Sequence, residues 1–107
     1  MNKSLSNFRK TVNHQQPDEL VIDFGSTAVT GIHALAVERL RDHYGLEKKP
    51  VRIIEPFQML GEVEDDLAEI MQVDVTAAWG SDSMFGFYNH EPFKLFKTPW
   101  GQEVLVP

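Results

Sequence analysis

Residues 21–41 read VIDFGSTAVTGIHALAVERLR, and this stretch decides the fold. Its short apolar run predicts a strand over Leu20–Phe24, which ends where glycine and two small polar residues follow. Apolar residues then recur at three- and four-residue steps, which predicts an amphipathic helix over Gly31–Tyr44. Thr27 or Thr30 can cap that helix through its hydroxyl. The pattern indicates a strand, a loop and a helix, the repeating unit of α/β proteins.

The rest of the chain continues this alternation. Further strands are predicted at Val51–Ile54 and Val73–Trp79, with a helix over Phe57–Met71 between them. A β-hairpin is predicted from Phe93–Lys97 and Gln102–Val106, because proline and glycine occupy the intervening turn. The order of elements predicts parallel strands joined by right-handed crossovers. The helical period places four side chains in the core: Leu35, Leu40, Leu67 and Ile70.

The first sixteen residues form a separate amino-terminal arm. A short helix is predicted over Ser4–Asn13, with Leu5, Phe8 and Val12 on one side. This stripe is narrow, so we expect the helix to lie against the outside of something larger.

Composition excludes several classes of protein. The 107 residues carry a formal net charge of −6, which argues against a nucleic-acid partner, because phosphate recognition needs clustered basic residues. The sequence contains no cysteine, which fits a reducing cytoplasm and excludes thiolate zinc ligands within these residues. No apolar stretch approaches the ~20 residues that span a bilayer, so no membrane partner is expected.

Three segments resemble one family of enzymes. They read VIDFGSTAVTGIHALAVERLRDHYGL, PVRIIEPFQMLGEVEDDLAEIMQVDV and KTPWGQEVLVP. From about Pro17 onward the chain resembles the amino-terminal part of uroporphyrinogen decarboxylase-like proteins, a superfamily shared with corrinoid methyltransferases. The resemblance implies that residues 17–107 are the N-terminal portion of a TIM (β/α)8 barrel, with a C-terminal β-hairpin. Such a barrel needs about 250 residues. We therefore expect a segment of a decarboxylase or corrinoid-linked methyltransferase that is inactive in isolation.

The resemblance also implies site residues and cofactors. Uroporphyrinogen decarboxylases carry an Arg-x-x-x-Gly-Arg motif after the first strand, whereas residues 24–30 here contain no arginine. This difference disfavours a polycarboxylated porphyrinogen as the substrate. The family's Phe-Ser-Asp stretch has a loose counterpart that ends at Asp82, which becomes a candidate catalytic residue. Zinc and a corrinoid belong to longer methyltransferase members, with ligands in the later half of the barrel, so this segment is expected to hold no cofactor.

The loop after the first strand is the candidate substrate-binding site, with four residues: Gly25, Ser26, Thr27 and Thr30. Its backbone N–H groups and hydroxyls can contact an anion at the positive end of the following helix. The alternative is a capped turn without a ligand. Strand-to-helix loops carry the chemistry of α/β barrels, which keeps the first interpretation open.

His33 is the second candidate catalytic residue, because it lies beside this loop at the start of the helix. It can serve as an acid, a base or a ligand, or it can pack and bond to backbone. No second histidine or carboxylate lies at ligand spacing near it, so we predict no metal site.

Two kinds of partner remain open. The chain can join the remainder of a barrel, or it can be a small α/β module that binds a partner or a second copy through its open sheet.

Overall fold

The computed structural model describes residues 3–78 and 92–107. In chain order the helices and strands are α1 (Lys3–Val12), β1 (Ile32–His33), α2 (Ala34–His43), β2 (Val51–Glu55), β3 (Leu60–Gly61), α3 (Asp65–Ile70), β4 (Lys94–Lys97) and β5 (Glu103–Val106). None of the helices in these two ranges is long and apolar enough to cross a membrane.

The strands form one open, mixed sheet of five strands in the order β1-β3-β2-β5-β4. β2 pairs antiparallel with β3 and parallel with β5, so that Val51 lies opposite Val104. β4 and β5 form the predicted hairpin, with Phe96 opposite Val104. The chain is therefore a small α/β protein, as the sequence indicates. Outside this hairpin, the predicted parallel arrangement is wrong for the described residues, because β2 with β5 is parallel whereas β1 with β3 and β2 with β3 are antiparallel.

The core lies between this sheet and the helices α2 and α3. Six buried apolar residues form it: Ala34, Val37, Val51, Ile53, Leu67 and Val104. Of the four predicted core residues, Leu67 is fully buried and Leu40 packs against the cluster, while Leu35 is half-buried. The prediction for Ile70 is wrong, because α3 has six residues and Ile70 at its end is 42% exposed.

Two of the three predicted strands do not form. Residues 20–24 and the described part of Val73–Trp79 are extended without ladder pairing, whereas Val51–Ile54 is confirmed within β2. The Asp74 N–H donates to the Ile22 carbonyl over 2.7 Å. The Ile22 N–H, however, donates to the Asp74 carboxylate at 2.8 Å. The Asp74 side chain thus accepts the Ile22 N–H, which a backbone carbonyl would accept if the two segments paired in a ladder.

The predicted helices begin later than expected. Gly31–Tyr44 is a helix only from Ala34, because Ile32 pairs with Gly61 in the sheet. Phe57–Met71 is a helix only over Asp65–Ile70.

A buried glutamate explains the late start of α3. The Glu55 carboxylate accepts the N–H groups of Phe57 and Gln58 at 3.0 and 2.7 Å. These bonds hold a turn after β2, and the chain returns as β3 before α3 begins. Helical periodicity cannot anticipate such a side-chain-held turn.

The predicted amino-terminal helix is present as α1, and its polar side faces inward. Asn7 is 3% exposed, and its side-chain oxygen accepts the Asp18 N–H at 3.0 Å. Ser4 donates a hydrogen bond to the Asp74 carboxylate. The apolar stripe faces outward, with exposures of 39% for Leu5, 41% for Phe8 and 54% for Val12.

Candidate functional site

The predicted substrate loop is a closed turn that its own hydrogen bonds hold. Gly25 is buried at a φ of +97°, and its N–H donates to the Thr30 carbonyl over 2.9 Å. The Asp23 carboxylate accepts both the N–H and the hydroxyl of Ser26. A Cβ at position 25 would lie 3.0 Å from Cγ2 of Val63. The backbone conformation therefore favours glycine, and the contact with Val63 would be tight for any larger residue.

Thr27 and Thr30 hold the other half of the loop. Each hydroxyl accepts the other residue's backbone N–H at 3.1 Å, and the two hydroxyls lie 2.9 Å apart. The N–H groups of Gly25, Ser26, Thr27 and Thr30 therefore all donate within the loop. Because these four donors are already used, the geometry favours the capped turn over an anion site.

His33 caps α2, so the expectation that Thr27 or Thr30 would do so is wrong. Its Nδ1 accepts the Leu35 N–H at 3.1 Å. The ring lies against the Trp100 indole, with centroids 5.3 Å apart and planes inclined by 49°. An accepting nitrogen carries no proton, so the neutral ring has its proton on Nε2.

A buried glutamine connects the hairpin to this end of α2. The Gln102 side-chain amide donates to the Ala34 carbonyl at 2.9 Å and accepts the Trp100 indole N–H at 2.9 Å. The Gln102 N–H donates to the Thr98 hydroxyl at 3.1 Å. This network fixes the indole that lies against His33. Sequence reasoning did not find Gln102, because its contact with Ala34 spans 68 residues and leaves no local pattern.

A cleft of about 300 Å³ begins at Gly25, where residues 20–24 end. Phe24 and Gly25 form one side, residues 75–77 another, and Glu62, Glu64 and Asp65 contribute carboxylates. Ser26, Thr27, Thr30 and His33 are not among its lining residues, so of the described candidate residues this cleft holds only Gly25.

Two of the cleft's carboxylates are paired with cations from the sheet side. Arg52 donates to Glu62 at 2.8 Å, and Lys49 donates to Glu64 at 3.0 Å. The hydrogen bond from Lys49 to Glu64 raises the pKa of the lysine. The sequence analysis did not select these acidic residues, which follow β3 and open α3.

Arg41 and Asp66 join α2 to α3 beside the cleft. The guanidinium donates two hydrogen bonds to the carboxylate, at 2.8 and 2.9 Å, and donates to the Glu47 carbonyl. Arg41 is 4% exposed. Its hydrogen bonds lower the pKa of Asp66 to about 2 and raise that of Arg41. This pair positions α3, and with it the acidic wall of the cleft.

The remaining candidate, Asp82, lies outside the described residues. Over residues 3–78 and 92–107, no three histidine, aspartate or glutamate side chains gather in a way that could hold a metal ion.

No protein-family model matches the chain, and no curated protein or solved structure matches it either.

Proposed function

We propose that this chain is the amino-terminal segment of a uroporphyrinogen decarboxylase-like TIM-barrel enzyme, of the decarboxylase or corrinoid-linked methyltransferase class, and that it is inactive alone. In this proposal the cleft beginning at Gly25 belongs to the mouth of the barrel. Zinc and a corrinoid would serve only the complete enzyme.

The observation that carries the proposal is the outward apolar face of α1. A helix on a finished domain turns its apolar stripe towards the core. Here Asn7 is buried while Phe8 and Val12 are 41% and 54% exposed. Leu20 and Val29 are 83% and 94% exposed. In this proposal the remainder of the barrel covers these exposed apolar side chains.

The contact between residues 20–24 and 73–78 gives further support. Ile22 and Asp74 share two hydrogen bonds, at 2.7 and 2.8 Å. Beyond this contact, residues 24–25 and 75–77 line the same cleft. The two segments are therefore held side by side at this cleft, as the proposal expects of two strands of one barrel, although they form no ladder.

The charge of the cleft supports one of the two proposed substrate classes over the other. Its lining includes three acidic side chains, Glu62, Glu64 and Asp65, and neither arginine nor lysine. A polycarboxylated porphyrinogen would meet carboxylates there, and the two nearby cations, Arg52 and Lys49, already pair with Glu62 and Glu64. Of the two classes, the cleft therefore favours methyl transfer.

Assays of two proteins test the proposal. The 107-residue chain and the same chain joined to a barrel remainder of this family should be assayed with uroporphyrinogen and with a methylated corrinoid. We expect turnover only from the joined protein, and with the corrinoid. Turnover by the chain alone would overturn the proposal, and so would a joined protein that folds but acts on neither substrate.

A second candidate is a module that dimerises through its open sheet. The edge strand β4 favours it, because Leu95 is 64% and Phe96 49% exposed. Lys94 and Lys97 oppose it, since edge lysines discourage strand pairing. Sedimentation velocity distinguishes the two: a dimer that Leu95→Lys dissociates would favour the module, and a monomer would favour the barrel segment.

A further inference from the structure

A second, open groove lies along one side of α2, between its buried and exposed faces. It encloses about 440 Å³ and is lined by His33, Leu35, Ala36, Arg39 and Leu40. It shares no lining residue with the cleft at Gly25. Three of its five residues are hydrocarbon, and the other two can donate hydrogen bonds. This composition suits a ligand with an apolar body and an acceptor group.

His33 lines this groove, and its Nδ1 is already bonded. Its Nδ1 accepts the Leu35 N–H at 3.1 Å, so the proton of the neutral ring is on Nε2. A base or a metal ligand acting through Nε2 would need that proton on Nδ1, which would break the cap of α2. The Trp100 ring, 5.3 Å away, restrains the imidazole. His33 is therefore suited to donate a hydrogen bond to an oxygen atom.

Arg39 supplies the charge. In the part of the chain that the structure describes, no carboxylate pairs with its guanidinium within 4.0 Å. Arg39 is exposed and lines the same groove as His33. A guanidinium binds a carboxylate through two parallel hydrogen bonds.

We propose that this groove binds a small free carboxylate with an apolar body. The carboxylate would contact Arg39 and the Nε2–H of His33, and the body would cover Leu35, Ala36 and Leu40. A protein partner fits less well, because an interface typically needs about 800 Å² from each partner and this groove spans two turns of one helix. The site goes beyond the proposed function, since its lining residues all belong to this chain's own α2 and its cap.

Two probes of matched shape test the proposal on the 107-residue chain. Amide chemical shifts are followed while 4-phenylbutyrate or 4-phenylbutanol is added. We expect saturable shifts at Leu35, Ala36 and Leu40, with the acid binding about tenfold more tightly, because hydrogen bonds to charged groups are the stronger ones.

Variants of Arg39 and His33 test the two proposed hydrogen-bond donors separately. Arg39→Gln should weaken the acid about tenfold and leave the alcohol unchanged, which is the size of one charged hydrogen bond. His33→Asn keeps a side-chain oxygen for the cap but shortens the donor, so it should weaken the acid with no change in thermal midpoint. Arg9→Gln is the matched control, an exposed arginine on α1, and should have no effect.

Several outcomes would overturn the proposal. One is equal affinity for the acid and the alcohol, and another is a loss of acid affinity in Arg9→Gln as large as that in Arg39→Gln. A third is the absence of saturable shifts at the groove up to millimolar probe. Tighter binding of a capped peptide that bears one glutamate would assign the groove to a protein partner instead. Because these titrations need no barrel, their failure leaves the enzymatic proposal standing.

Discussion

The two ten-residue helices of this chain pack in opposite ways. α2 buries Ala34 and Val37 against the sheet and leaves Arg39 outside. α1 buries Asn7 and leaves Phe8 and Val12 outside. Both have an apolar stripe at helical spacing, so periodicity alone does not distinguish them.

Their surroundings explain the difference. α2 lies on an apolar sheet, whereas α1 contacts the extended chain through polar bonds such as those of Asn7 with Asp18 and of Ser4 with Asp74. A stripe becomes core only where an apolar neighbour covers it. α2 has its apolar neighbour within this chain, and under the proposed function the neighbour of α1 would be the remainder of the barrel.

Among the variants that compare the two helices, the largest loss of stability is expected at Arg41, which lies on the buried side of α2. Arg41→Met should cost about 3 kcal/mol of unfolding free energy, at the low end for a broken buried ion pair because Asp66 is partly exposed. Urea unfolding measures the loss. If the loss of unfolding free energy is smaller than that of a typical surface substitution, the pair does not stabilise the packing of α2 against α3.

The same pair predicts a pH dependence. The pKa of Asp66 falls from 3.8 to about 2 in the folded chain, so its stabilising contribution is complete above about pH 4. It is lost as the pH falls towards 2. In Asp66→Asn this part of the acid sensitivity should disappear, and an unchanged acid profile would contradict it.

One substitution on the core side of α2 can be compared with one on the outer side of α1. Val37→Ala should cost about 2 kcal/mol, because Val37 is fully buried. Phe8→Ala in the isolated chain should cost less than about 0.5 kcal/mol, although it removes a larger side chain. Equal costs, measured as denaturant midpoints with unchanged slopes, would mean that α1 is covered within this chain.

Asn7 tests the inward polar face of α1. Asn7→Ala removes the acceptor of the Asp18 N–H, so about 1–2 kcal/mol should be lost despite the gain in helix propensity. Thr11→Ala, at a more exposed position of the same helix, is the control. A stabilised Asn7 variant would show that this face is not held by its hydrogen bond.

The smallest effect belongs to the cap of α2. His33→Ala should cost about 1 kcal/mol and His33→Asn much less, because asparagine is a good N-cap. Thermal unfolding of both variants measures the difference. If the two lose the same amount, the Nδ1 bond to Leu35 contributes little.

The sequence predicted what depends on local pattern. The hairpin of β4 and β5, the strand β2 and the middle of α2 follow from turn residues and apolar spacing. The predicted strand at residues 20–24 does not form because the side chain of Asp74, 52 positions away, accepts the Ile22 N–H. For the site, the glycine preference at Gly25 could be foreseen from the turn, and an aspartate three residues before Ser26 is a recognisable local side-chain-to-backbone pattern. The bonds of Gln102 could not be foreseen.

The most direct test of the central claim is the accessibility of Val12. The sequence has no cysteine, so Val12→Cys introduces a single thiol on the outward stripe of α1. Ala36→Cys, on the exposed side of α2, is the control. Alkylation rates should be measured in the 107-residue chain and in the chain joined to a barrel remainder of the family. We predict that the thiol at position 12 reacts rapidly in the chain alone and much more slowly in the joined protein, while the thiol at position 36 reacts rapidly in both. Equal rates at position 12 in the two proteins would contradict the claim that α1 is a surface of a larger barrel.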